Sequence, residues 1–163
     1  MAREPITYTS RPLLSSEAVE GEAVFVALMR AASLLSSGFE ELFKAHNLSS
    51  AQYNALRVLR EAGEYGLMCH QLASALVTRD PDVTRLADRL EERGLLSKER
   101  CPNDRRVVYL RITQEGLELL QELDGPVAEL HERQVKAICP EDRRTLLRNL
   151  HQFLAAACPS RSK

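Results

Sequence analysis

Tryptophan is absent and only 5% of the 163 residues are aromatic, so the interior has to be packed with Leu, Ala and Val, the composition of a helical protein. Cysteine is scarce and scattered. Cys69, Cys101, Cys139 and Cys158 include no CxxC pair, which argues against a zinc knuckle or a disulfide framework and fits a reducing cytoplasm. No uncharged run approaches the roughly 18 apolar residues of a membrane span. The opening MAREPITYTSRPLLSS lacks the apolar core of a secretory signal and reads as a flexible arm over 1–16. Charge of one sign is missing too: 22 basic and 23 acidic residues leave a formal net charge of −1. That speaks against holding a polyanion by total charge, while leaving room for a local basic patch.

Catalytic signatures are also missing. His131-Glu132 opens like a HExxH zinc site, but Val135 stands where the second histidine belongs. There is neither a P-loop nor a GxSxG elbow. Cys69 and His70 are neighbours on a predicted helix and point in different directions. His46, His70, His131 and His151 read as surface or capping residues. No catalytic group, metal or cofactor is expected.

What is present is 44% hydrophobic and 28% charged residues, the balance of one soluble domain or one protomer of a compact oligomer. From Glu17, apolar residues at Phe25, Leu28, Ala32, Leu35, Phe39 and Leu42 step by three and four along one helix stripe, with Ala27, Ala31 and Leu34 beside it. A long helix with two neighbouring apolar stripes has more surface to bury than one small domain covers, which points to a dimer surface. Asn47 is a stop signal and Ser49 or Ser50 an N-cap for AQYNALRVLREAG, which ends at Gly63.

A short helix over Met68–Leu76 follows, then the turn Val77–Asp80, then a helix expected to start at Pro81 with Asp80 as its cap. Val83, Leu86, Ala87 and Leu90 give it an inward face, and Gly94 ends it. Its outer face carries Asp82, Thr84, Arg85, Asp88, Arg89 and Glu92. Two short helices joined by a tight turn, the second polar outward, form a helix-turn-helix. Leu95–Arg100 and Arg106–Ile112 then read as strands around the hairpin loop Cys-Pro-Asn-Asp-Arg, a wing. The stretch KERCPNDRRVVYLR carries five basic residues (Lys98, Arg100, Arg105, Arg106, Arg111) against Glu99 and Asp104, the local patch that the total charge conceals. Thr113 caps a long helix that Gly125-Pro126 should kink or interrupt, and a last helix starts at Pro140.

The spacing Asp104-x-Arg106, five residues, then Ile112-Thr113-x-x-Gly116, together with LSSAQYNALRVL and DPDVTRLADRLEERGLL, resembles the MarR family of bacterial transcriptional regulators over about residues 40–117. The expected fold is mainly α with a small β-hairpin wing: a winged helix-turn-helix lobe at 49–112 plus dimerisation helices at 17–48 and 113–158. The resemblance implies a cytoplasmic homodimer acting on a pseudo-palindromic operator in double-stranded DNA, a repressor released by a small-molecule effector, often an aromatic anion.

For the DNA contact, Arg85 is the candidate for guanine, Thr84 and Asp82 lie near the helix start, and Arg79 precedes it to anchor a phosphate. Arg85 also stands at i,i+3 from Asp82 and Asp88, and Arg89 at i,i+3 from Glu92, where ion pairs would occupy them. At the wing Arg106 is the expected minor-groove contact, with Arg105 beside it and Asp104 positioning it. Arg100 and Lys98 are either phosphate contacts or solvated charges. An effector site would draw on Arg30 and Arg57 as cations near Phe25, Met29, Phe39 and Tyr53. Two other readings stand beside this one. One is a thiol-based redox-sensing regulator of the same fold using Cys101 or Cys69, although the N-terminal helix, where the family's organic-peroxide sensors hold their thiol, has no cysteine. The other is a winged helix serving only protein contacts, which leaves the basic wing unexplained.

Overall fold

The computed structural model describes residues 16–76, 82–100 and 107–157. Six α-helices lie among them: α1 Ser16–Lys44, α2 Ser50–Ala62, α3 Cys69–Ala75, α4 Val83–Glu92, α5 Gln114–Val135 and α6 Pro140–Ala157. Three strands, β1 Leu67–Met68, β2 Leu96–Arg100 and β3 Val108–Ile112, make an antiparallel sheet in the order β1-β3-β2. None of the described helices is long and apolar enough to cross a membrane. Residues 1–15 of the predicted arm, the predicted turn 77–80 with Pro81, and residues 101–106 of the predicted wing fall outside the described residues, while Ser16, expected at the end of the arm, opens α1.

Local chemistry sets the helix ends. Asn47 takes a left-handed φ of 53°, so the backbone N–H of Leu48 reaches back to the Phe43 carbonyl at 3.0 Å and closes α1 in a Schellman motif. Gly94, with φ 70°, closes α4 the same way through the Leu95 N–H to the Leu90 carbonyl at 2.9 Å. A capping box opens α2: the Ser49 hydroxyl accepts from the Gln52 N–H at 3.2 Å and the Gln52 side chain accepts from the Ser49 N–H at 2.9 Å.

Two boundaries differ from the sequence expectation. Among the described residues α4 begins at Val83 with Asp82, not Asp80, as its cap, because the Asp82 carboxylate accepts the Arg85 N–H at 3.0 Å. Pro126 does not interrupt α5, which runs from Gln114 to Val135. Its missing N–H costs one intrahelical bond on the exposed side, beside exposed Gly125 and Glu122, where water can satisfy the freed carbonyl.

The chain divides into two compact units, Met1–Gly38 and Phe39–Lys163. The described part of the first is the N-terminal stretch of α1, with Val19, Val24, Phe25, Met29, Leu34 and Leu35 exposed. The second has its core where α2, α3, α4, the sheet and α5 converge: Leu56, Leu59, Leu72, Leu86, Ala87, Leu90, Leu95, Leu96, Leu110, Leu120 and Leu123 are buried. Each such leucine contributes about 1.5–3 kcal/mol by leaving water. Three aromatics join this core in one stack, with Phe43 against Tyr53 at 4.2 Å and against Phe39 at 5.9 Å.

The joint between the wing and α5 explains the Ile112-Thr113-x-x-Gly116 spacing. The Thr113 hydroxyl donates to the Gly94 carbonyl at 2.7 Å and accepts the Gly116 N–H at 3.1 Å, while the Thr113 N–H donates to the Leu95 carbonyl at 3.2 Å. A Cβ on Gly116 would lie 2.3 Å from the Leu95 carbonyl oxygen and 2.7 Å from Ile112. Only glycine lets α5 start this close to β2.

Candidate nucleic-acid interface

Helix α4 is short and strongly two-faced. Val83, Leu86, Ala87 and Leu90 fall at i, i+3, i+4 and i+7 and are buried, so the helix phase leaves Thr84, Arg85 and Arg89 exposed. The Arg85 side chain is 72% exposed and its Nε lies 3.6 Å from the Asp82 carboxylate. At that range and exposure the pair is worth at most a few tenths of a kcal/mol, roughly, too little to hold Arg85 away from a better anion. Arg89 makes no ion pair among the described residues. Asp82 has a defined task as the N-cap.

Strand β2 supplies the rest of the described surface. Alternation puts Leu96, Lys98 and Arg100 on one face, buried, half-buried and exposed in turn. Lys98 is not a free cation: its ammonium bonds to the Asp88 carboxylate and to Glu91 Oε2 at 2.8 Å, both on α4. Burial pulls the Lys98 pKa down, but the hydrogen bonds and charges of Asp88 and Glu91 outweigh it and hold the ammonium above the ordinary lysine value. Arg100 ends the strand exposed, with no ion pair among the described residues. On the opposite face Glu99 and Arg111 pair diagonally across β2 and β3 at 3.1 Å, and Arg111 packs over Gly66, where a Cβ would lie 2.8 Å from its Cγ. Two of the five cations counted in the wing stretch are thus spent inside the fold. Arg79, Asp104, Arg105 and Arg106 lie outside the described residues, and so does Cys101.

The residues expected around an effector divide. Phe39, Tyr53 and Arg57 meet near Phe43, with the Arg57 guanidinium 5.9 Å from the Tyr53 ring centre and 3.9 Å from Glu61. Burial pushes the Tyr53 phenol above its ordinary pKa, with Arg57 opposing. Phe25, Met29 and Arg30 are exposed on the first unit. A separate open concavity of about 540 Å³ is lined by Glu40, Lys44, Asn47, Leu48, Ser49, Ser50 and Ala51. Cys69 is half-buried against the core.

Sequence reasoning missed Arg93. Its guanidinium donates to the Asn47 carbonyl at 2.7 Å and the His46 carbonyl at 3.1 Å, tying the end of α4 to the end of α1. The available signal was a cation in the residue before the helix-ending Gly94, where carbonyls are left over. A second tie fixes α2 to α5: Arg60 grips the Asp124 carboxylate with three bonds of 2.9 to 3.1 Å.

A short helix, a second helix polar on its exposed face and a three-stranded wing define a winged helix-turn-helix protein. The family model described as the MarR family matches residues 48–108, the span from two residues before α2 to the first residue of β3. The HTH-type transcriptional regulator PecS of Dickeya dadantii (strain 3937) is 30% identical over 133 residues, covering 81% of this chain and 80% of that protein. A crystal structure of a MarR transcription factor from Planctomyces limnophilus is 37% identical and superposes with a TM-score of 0.65 over 80% of this chain and 95% of that one. Sco3205 of Streptomyces coelicolor, a MarR family regulator solved in complex with DNA, has the same fold, with a TM-score of 0.78 at 24% identity over 95% of this chain and 96% of that one. The chain belongs to the MarR family, whose members are transcriptional regulators and not enzymes.

Proposed function

We propose that this protein is a homodimeric repressor that binds a pseudo-palindromic operator through α4 and the wing and leaves it when a small molecule binds. The observation that carries the reading is the exposed Thr84–Arg85–Arg89 face of α4, held outward by a fully buried opposite face. Arg85 reads a guanine edge, because a guanidinium matches O6 and N7 bidentately and only its weak Asp82 pairing competes. Arg89 and Arg100 meet phosphates, as does Arg79, and Thr84 contacts base or phosphate near the helix start. Arg106, with Arg105 beside it and Asp104 positioning it, enters the flanking minor groove. Asp82 serves by fixing the helix start rather than by touching the anion.

The exposed apolar residues of α1 and of α6, Leu146, Leu147, Phe153 and Leu154 among the latter, support a partner protomer covering them. Effector release rests on the family resemblance alone. The test is a salt titration of binding to operator DNA selected from a random pool and to random DNA. Affinity for the operator should fall by about three orders of magnitude between 50 and 200 mM salt. Binding that ignores salt, or no binding at all, overturns the reading.

A further inference from the structure

Helix α4, the helix proposed to meet the operator, carries more acids than bases: Asp82, Asp88, Glu91 and Glu92 against Arg85, Arg89 and Arg93 over its length and caps. A polyanion would be poorly served by such a surface unless the acids were answered locally. Asp82 is answered by the helix start, whose N–H of Arg85 it accepts. Asp88 and Glu91 are answered from another element: both carboxylates converge on Lys98 of β2, whose side chain is only 23% exposed while theirs are 49% and 43% exposed. Lys98 can reach them because strand alternation puts it on the same face as buried Leu96, two residues before the exposed Arg100.

Resting on the reading of α4 as the DNA-facing helix, we propose that Lys98 is a positioning residue for DNA recognition: it masks Asp88 and Glu91 and so keeps Arg85 available to the operator. Asp88 stands three residues after Arg85, the spacing at which a helical carboxylate captures an arginine. Engaged by Lys98, it leaves Arg85 with Asp82 as its ion-pair partner among the described residues. Freed, it would both compete for Arg85 and repel the approaching phosphates. Lys98 therefore acts on DNA through other residues and contributes no phosphate contact of its own.

The experiment compares wild type, Lys98→Met and the triple variant Lys98→Met with Asp88→Asn and Glu91→Gln for operator affinity across a salt series, with thermal melting as the folding readout. Lys98→Met should weaken operator binding on the order of tenfold, and the triple variant, lacking cation and carboxylates alike, should return to within about threefold of wild type with an unchanged salt slope. A merely structural clamp would not be rescued by deleting its remaining partners. The proposal is overturned if the triple variant stays as weak as the single one, or if its salt slope falls by about one charge, the signature of a lost phosphate contact. Should Lys98→Met fail to melt cooperatively, the triple variant alone decides by the same two criteria. Absence of salt-sensitive binding by wild type would count against the DNA reading itself and is separate from either result.

Discussion

Arg85 concentrates the functional argument because three independent features converge on one side chain. The helix phase points it outward, its guanidinium can match a guanine edge bidentately, and its ion-pair partner at 3.6 Å is too exposed to retain it. Arg85→Ala should lower operator affinity by about 1–3 kcal/mol, roughly 5- to 150-fold, while changing random-DNA binding far less, so the specificity ratio falls with the affinity. Equal loss on both DNAs would make Arg85 a phosphate contact instead. Lys98 and Arg111 show how a residue-level charge count misleads. They were counted with the wing cations by position, yet each is bound to carboxylates of its own fold. Their partners lie seven to twelve residues away in the chain, and nothing in a linear charge pattern says which strand face will meet which helix.

At the scale of elements the legible features are those that act over four residues. The stop at Asn47, the capping box at Ser49 and Gln52, the exit at Gly94 and the cap at Thr113 each depend on neighbours in sequence, and α4's buried and exposed faces follow from its apolar spacing. Strand β1 was not expected, since two residues are too few to show an alternation. The start of α4 was misplaced because two aspartates, Asp80 and Asp82, bracket a proline and either can cap; the bond to the Arg85 N–H selects the second. The joint at Thr113 and Gly116 lies between these cases: its spacing was readable as a family trait, but its cause is a three-way contact between the α4 exit, β2 and α5. Gly116→Ala should force α5 away from the Leu95 carbonyl and lower stability by about 1–3 kcal/mol. Chemical denaturation would show it, and an unchanged midpoint would mean that the joint tolerates displacement. Since α4 ends and β2 begins at this joint, the variant should also weaken operator binding more than its stability loss alone removes folded protein.

For the whole molecule, the question is what covers the apolar surface that one chain leaves open. Phe25 is 63% exposed, and on α6 Leu147 and Leu154, seven residues apart on one helical face, are 55% and 56% exposed. Patches of this kind on two terminal helices favour a second copy of the chain. A two-fold pairing would place two α4 helices about one turn of DNA apart, roughly 34 Å, so that each meets a major groove on the same side of the duplex. Such a dimer would do for affinity what one short helix cannot, by making the second contact intramolecular. Leu147→Glu with Leu154→Glu puts charges on that face without entering the buried core of the DNA-binding lobe. Sedimentation should report a shift from dimer to monomer, circular dichroism should show the helical lobe retained, and operator affinity should drop by at least about a hundredfold while a single half-site is still bound weakly. A variant that remains dimeric at micromolar concentration would place the interface elsewhere, and footprints separated by other than one helical turn would contradict the two-fold arrangement.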